Sequence, residues 1–416
     1  MTSLPILVLN SGSSSIKFSI YDASGPTPRK LLDGAADGIG NENGSFRIRN
    51  ADGCPLLNAS RPIRNRAIAF EMISEALHSE SFPVPMAIGH RTVCGSPTVC
   101  HNQLLTPQLI AEIERYAELA PLHTPIGVYI MRESLRLFPG VPNFAVLDSW
   151  FHRTIPEVVA HMPIEEQYAA QGVRRIGYHG ISCESILMQL EPNIPERLIV
   201  AHLGNGASIS AIRRGECVDT SMGLSPTGGI ISGTRTGDLD PGVVLYILRQ
   251  IVKKEKDAHL AADYLDAAVN RNAGLLGLSG VSNDMRRLRM AIQNGHPRAR
   301  LAVDAFNWTI VKWIGSFFVE LGGLDMLVFT GGIGENCTET RAEICERLGS
   351  IGVTLDTVHN NVRETSIISA PESAVTVRVI PPAEDLVIVH HVLQLLRQEC
   401  PTQSRLKDSV NAVEVS

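Results

Sequence analysis

The chain has 416 residues, 44% hydrophobic and 19% charged, which is enough for two domains with sizeable cores. A net charge of −6 excludes a basic nucleic-acid surface. No apolar run reaches the roughly 18 residues of a membrane span, and the eight cysteines form no C-x-x-C pair, so neither a zinc ribbon nor a redox dithiol is signalled.

In chain order, Leu4 to Leu9 reads as a buried strand. It is too short, and lacks the basic flank, for a signal peptide, so a cytoplasmic protein with reduced thiols is expected. A polar turn, Asn10 to Ser15, leads to Ile16, Phe18 and Ile20 in period-two alternation, a second strand. Asp33 to Gly44 is turn-rich and reads as a hairpin or surface loop. Met86 to Gly89 delivers His90 and Arg91 to a strand end. Thr106-Pro107 opens a helix with Leu109, Ile110, Ile113 and Ala117 on its apolar face, and Pro121 closes it. Thr124-Pro125 opens the next, which puts His123 in a tight loop between them. Asn143 to Asp148 is a strand with its carboxylate at the C-terminal end, where α/β folds bind ligands. Leu198 to Ala201, the turn His202 to Gly206 and Ala207 to Ile212 repeat the strand–turn–strand of the N-terminus: Gly12 and Ile20 match Gly204 and Ile212 in spacing, which hints at a duplicated fold. Asp240-Pro241 caps a helix through Ile247 and Leu248. Leu324 to Thr330 is a strand running into a glycine loop, with a helix from about Thr338. The tail after Pro401 is polar and frayed.

Three glycine-dense runs carry the chemistry: Asn10 to Lys17, Gly228 to Pro241 (GGIISGTRTGDLDP) and Val328 to Asn336 (VFTGGIGEN). Glycine lets backbone approach a ligand, and successive N–H groups make nests for phosphate oxygens. None fits the P-loop spacing. The first run is either a serine-rich turn or a phosphate-facing hairpin with Lys17 as a point charge. Arg91 and Arg235 are either surface ion-pair partners or clamps for a carboxylate or phosphoryl group. At about 4 Å and an effective dielectric of about 20, one such pair is worth roughly 4 kcal/mol. Asp148 is a strand-end turn residue or an orienting carboxylate. His123 and His179 are satisfied histidines or phosphoryl contacts. Glu384-Asp385 is an acidic helix start or a magnesium ligand.

Together these residues resemble the acetate kinase family, the acetokinases of the actin/sugar kinase/Hsp70 superfamily. The matching segments are VLNSGSSSIKF (8–18), GHR (89–91), LAPLH (119–123), Arg174-Arg175 with Tyr178-His-Gly180, HLGNGAS (202–208), VDTSMG (218–223), GTR (233–235) with Gly237-Asp238 and Asp240-Pro241, and GIGEN (332–336). The resemblance implies an α/β fold of two duplicated actin-like, ribonuclease H-like domains with an interdomain nucleotide cleft. Residues 1–149 with 386–416 would form the first domain and 150–385 the nucleotide-binding second. It implies Mg²⁺-dependent, reversible transfer of phosphate from ATP to acetate, directly and in line, in a cytoplasmic homodimer with no nucleic-acid or membrane partner. By motif match, Asp148 is the catalytic carboxylate, Arg91 grips the substrate, and His179, Arg235 and His123 face the phosphoryl path. Asn10 and Glu384 hold magnesium. Lys17, His202, Leu203, Gly204, Asn205 and Gly206 meet nucleotide phosphates. Asp284, Met285, Arg286, Gly332, Ile333, Gly334, Glu335 and Asn336 hold the nucleoside. Val93, Leu122, Tyr178 and Pro226 line the acyl pocket.

The sequence departs from the family's usual pattern around that pocket. Cys94-Gly-Ser96 stands for His-Gly-Gly, Tyr178 for Phe, Ile181-Ser-Cys183 for Thr-Ser-His, and Trp150 for Ala. Propionate or butyrate is therefore an alternative acceptor. A non-catalytic ATP-binding regulator is the alternative of a different class.

Overall fold

The computed structural model describes residues 3–12, 15–79, 82–93, 98–120, 123–361 and 366–399. They divide into two compact units. Unit 1 runs to Trp150 and takes up the chain again from Ala383; unit 2 is Phe151–Pro382. Glu384 and Asp385 thus fall in unit 1.

Unit 1 is built on one sheet. Its strands are β1 (Pro5–Ser11), β2 (Ser15–Asp22), β3 (Arg29–Asp37), β4 (Ser45–Asn50), β5 (Pro55–Ser60), β6 (Ala87–Thr92), β7 (Gln103–Leu104) and β8 (Asn143–Leu147), in spatial order β5-β4-β3-β2-β1-β6-β8-β7. β1 to β5 form an antiparallel meander, while β6 runs parallel to both β1 and β8. The central strands are continuous apolar runs because both faces are covered: all five residues of β8 are buried. The helix Glu384–Glu399 packs on β6, and Gly89 makes this possible, since a Cβ there would stand 2.5 Å from Ile388 Cγ2.

Unit 2 has β9 (Arg197–Leu203), β10 (Ala207–Arg213), β11 (Glu216–Thr220), β12 (Met326–Thr330), β13 (Ser366–Ile367) and β14 (Thr376–Val379), ordered β11-β10-β9-β12-β14-β13. The order β3-β2-β1-β6-β8 and its parallel and antiparallel senses recur as β11-β10-β9-β12-β14. The same topology therefore appears twice, with β1–β2 and β9–β10 as equivalent openings. The long helix Pro297–Leu321 buries Val303, Phe306, Ile310, Ile314 and Phe317 against this sheet.

Two local readings need correction. Asp33 to Asp37 is the second half of β3, and only the segment after it turns. Gly34 is there for packing: a Cβ would lie 2.3 Å from Phe18 Cζ on the neighbouring strand. The run after β12 is a short helix, Gly331–Asn336, entered through Gly331 at φ +77°. The helix opened by Pro107 ends at Arg115, and Ala117–Leu119 form a separate 3-10 turn, so it stops short of the expected end at Pro121, which itself lies outside the described residues.

His90, beside the site described below, is 2% exposed, and its Nε2 is 2.8 Å from Asn143 Oδ1. Burial, partly opposed by that hydrogen bond, pushes its pKa down to about 4. Between pH 6.5 and 4 the unfolded chain therefore binds a proton that the folded chain refuses, and stability falls as pH drops through that window. The expected loss from pH 7.5 to 5 is about 2 kcal/mol. Urea midpoints across this range check it: His90→Gln should flatten the slope, and parallel slopes for both proteins would exclude His90 as the cause.

Candidate active site

In unit 1 the C-terminal strand ends present one cation among oxygens. Arg91 comes from β6, and Asp148 follows β8 with its N–H on Thr92 O at 2.9 Å. Arg91 Nη2 donates to Asp148 Oδ2 at 3.0 Å. Its Nη1 is 3.4 Å from Asn10 Oδ1 and 3.7 Å from Glu384 Oε2. Burial works against the guanidinium charge, but the Asp148 and Glu384 carboxylates outweigh it and the pKa is raised. Asp148 is 1% exposed, so its visible role is to hold Arg91. Arg91 Nε is buried with no hydrogen-bond partner among the described residues.

Behind Arg91 lies a cavity of about 10 Å³ bordered by Val93, His123, Thr124, Ile113 and Met131 among others. That is room for about one water or a methyl group. The Thr124 hydroxyl in its wall is buried without a partner. His123 caps the Thr124–Leu137 helix through its backbone only. Lys17 is exposed and pairs across the β1–β2 hairpin with Asn10. Trp150 packs on the cluster around Leu105, Ile110 and Leu147. Leu122 lies outside the described residues.

Asn10 Oδ1 and Glu384 Oε2 both lie near Arg91 Nη1, and oxygen donors of this kind are what Mg²⁺ takes while keeping much of its water. Among the described residues no group of three or more His, Cys, Asp or Glu forms a metal cluster. The fit is to a largely hydrated ion carried with phosphates.

In unit 2, His179 and His202 stack at 4.1 Å between centroids and 19° between planes. His179 sits at φ +59°, a strained value for a non-glycine residue, ahead of the Gly180–Leu190 helix. Its Nδ1 is 2.9 Å from Ser208 Oγ, and His202 Nδ1 is 2.9 Å from Ser182 Oγ. Both rings are thereby oriented through Nδ1. A Cβ on Gly206 would be 3.1 Å from Arg235 Nη1 and 3.3 Å from His179 Nε2, so the imidazole and guanidinium flank one glycine. Arg235 is 9% exposed, and burial lowers its pKa, partly offset by Tyr178. Tyr178 is itself enclosed and donates to Leu224 O at 2.7 Å, steadying the turn that carries the buried Pro226.

Beside these groups is a cavity of about 950 Å³ lined by Gly204, Asn205, Asn283, Asp284, Met285, Arg286, Arg289, Gly332, Ile333, Asn336, Cys337 and Glu339. Eight expected nucleotide residues meet here. Leu203 and Gly334 do not: Leu203 is fully buried in the core, and Gly334 backs onto Phe329. Glu335 is half-buried, and burial raises its pKa. Arg341, fully buried, holds the Gly331–Asn336 turn from behind, donating through Nη1 to Gly334 O and Glu335 O at 2.8 Å each.

Sequence reasoning missed Ser182, Ser208, Asn283, Arg289, Glu339 and Gly274. Gly274, at φ +59°, braces the Arg235 loop: a Cβ would lie 2.2 Å from Ser232 O and 2.7 Å from Arg235 O. Its only sequence signal was a glycine at a helix start. Gly274→Ala should displace Arg235 and lower turnover on the order of 100-fold. Steady-state rates, with a melting curve to show a folded protein, check this; wild-type turnover would mean the loop is not braced there.

The model of the acetokinase family matches residues 5–390. The chain is 40% identical to an acetate kinase of Nitrobacter hamburgensis, covering 94% of this chain and 96% of that protein. It is 38% identical to a propionate kinase of Escherichia coli O157:H7, covering 96% and 98%. Among solved structures it resembles the Porphyromonas gingivalis acetate kinase (TM-score 0.80, 33% identity, 94% of this chain and 100% of that one). It also resembles a propionate kinase from Francisella tularensis (TM-score 0.84, 32% identity, the same coverage).

Proposed function

Since this chain belongs to the acetokinase family, we propose that it transfers the γ-phosphoryl group of ATP reversibly to acetate, giving acetyl phosphate and ADP. Arg91 carries the reading. It is a guanidinium fixed by Asp148, with Nε left without an acceptor beside a methyl-sized cavity. A carboxylate held there is already a nucleophile, so the site needs orientation and charge neutralisation rather than a strong base.

In the proposed step, a carboxylate oxygen forms the new P–O bond in line as the β–γ bridging P–O bond breaks, and the electron pair leaves with ADP. Arg91 aims the acceptor, and Asp148 keeps Arg91 in place. His179 and Arg235 meet the charge that spreads over the equatorial phosphoryl oxygens. His123 and Lys17 flank the phosphate path, and the large cavity of unit 2 takes the nucleoside. Asn10 and Glu384 would hold Mg²⁺ directly or through water; when bound, it neutralises phosphate charge. A cytoplasmic location is part of the same proposal, since ATP is the co-substrate. No helix among the described residues is long and apolar enough to cross a membrane.

A hydroxamate trap with ATP, Mg²⁺ and acetate tests the activity. Arg235→Ala should lower kcat about 100- to 1,000-fold with little change in nucleotide affinity. Equal loss of both would contradict its role. A non-catalytic regulator would show no turnover at all. The small cavity favours acetate over longer acids: each methylene should cost about 10-fold or more in kcat/KM. Equal rates for acetate and butyrate would overturn that pocket assignment.

A homodimer is proposed through the helix Pro241–Val252, which buries none of its residues within the chain and exposes Val243, Leu245 and Tyr246 beside Leu260 and Tyr264. Light scattering of Tyr246→Glu should report a monomer; an unchanged mass would exclude this face.

A further inference from the structure

We propose that Arg289 and Glu343 form a clamp that fixes the width of the nucleoside cavity, setting nucleotide affinity without touching the transferred phosphoryl group. This rests on reading that cavity as the ATP site.

The cavity has two walls. One is Asp284, Met285 and Arg286, the cap and start of the helix Met285–Gln293. The other is the turn Gly331–Asn336, followed at once by the helix Thr338–Arg347. Arg289 lies on the first helix, and Glu343 and Thr340 lie on the second. Arg289 Nη1 donates to Glu343 Oε1 and Nη2 to Oε2, both at 2.7 Å, a two-pronged pairing with fixed geometry. Nη2 also donates to Thr340 Oγ1 at 2.8 Å. Among the described residues, the hydrogen bonds joining these two helices all come from Arg289.

Glu343 is anchored in turn. It accepts from Arg300 Nη1 at 3.0 Å and Asn307 Nδ2 at 2.7 Å, both on the long Pro297–Leu321 helix that fills the core. One carboxylate therefore ties both cavity walls to the rigid body of unit 2. Burial would raise its pKa, but the hydrogen bonds and charges of Arg289 and Arg300 prevail, so it stays ionised. Arg289 faces the cavity, and its Nε is buried without an acceptor. An incompletely bonded guanidinium is held here by its Glu343 end, at the cost of that orphan donor.

Two variants separate geometry from charge. Arg289→Lys keeps the cation and loses the fork; Glu343→Gln keeps the shape and loses the anion. Calorimetric titration of the full-length protein with ATP and ADP gives Kd, and steady-state assays give KM and kcat. Both variants should raise Kd and KM for ATP about tenfold, with kcat and the acetate KM within about twofold. An unchanged Kd, even with a lowered melting temperature, would reduce the pair to a structural staple and overturn the proposal. So would a fall in kcat at constant Kd. If Arg289→Lys does not fold, Glu343→Gln is read alone. If the wild type binds ATP but forms no acyl phosphate, the kinase reading fails while the Kd comparison still judges the clamp.

Discussion

Close approach of backbone is the constraint on which unit 2 depends. Asn205 Oδ1 sits 2.1 Å from where a Cβ of Gly233 would be, and Ser232 O sits 2.2 Å from that of Gly274. Those two contacts press the Arg235 loop between the β9–β10 turn and the helix Gly274–Ser279. Leu275 N–H and Leu276 N–H then bond Ser232 O and Gly233 O at 3.0 Å. Together with the Gly233 N–H bond to Asn205 O at 2.9 Å, this layering brings the guanidinium to Gly206. An added Cβ at Gly274 would run into the backbone carbonyls of Ser232 and Arg235, whereas at Gly233 it would first meet the movable end of the Asn205 side chain.

The histidines are placed by a different device. A left-handed residue at a helix start is costly unless its surroundings over-determine it. Here Ser208 and the His202 ring do so, and Gly331 leaves space for His202 Nε2 at 3.2 Å from its absent Cβ. β12 runs parallel to β9, with Thr330 opposite His202. The glycine-led segment after β12 therefore begins beside His202, the penultimate residue of β9, and the residues proposed to meet phosphate and nucleoside come together as a consequence of strand order.

The parts of this arrangement legible in sequence were those whose signal is local. Strand–turn–strand pairs, proline-opened helices and the carboxylate at the end of β8 follow from patterns a few residues long, and Gly12 with Gly204 marked the duplicated opening. What escaped depends on partners far along the chain. Ser182 and Ser208 matter only because two imidazoles face them. Arg289 matters only because Glu343 lies 54 positions away. Gly34 looked like a turn residue because its true neighbour, the Phe18 ring, is on another strand. Leu203 and Gly334 were drawn into the site by belonging to its motifs; burial shows that alternate residues of a motif face the core instead.

The two arginines on which the proposed chemistry rests are poised oppositely. Arg91 is surrounded by carboxylates, so burial does not loosen its proton and its field is largely cancelled locally. Such a group orients an anion more than it attracts one. Arg235 is disfavoured by burial, an effect partly offset by Tyr178. A desolvated cation gains when negative charge grows beside it, because the low dielectric that penalises burying the charge also strengthens the pair. In the proposed reaction, Arg91 of unit 1 would thus aim the acceptor, and Arg235 of unit 2 would reward charge development on the phosphoryl group. Exchanging arginine for lysine at either position would keep the charge and lose the planar fork that fixes its direction.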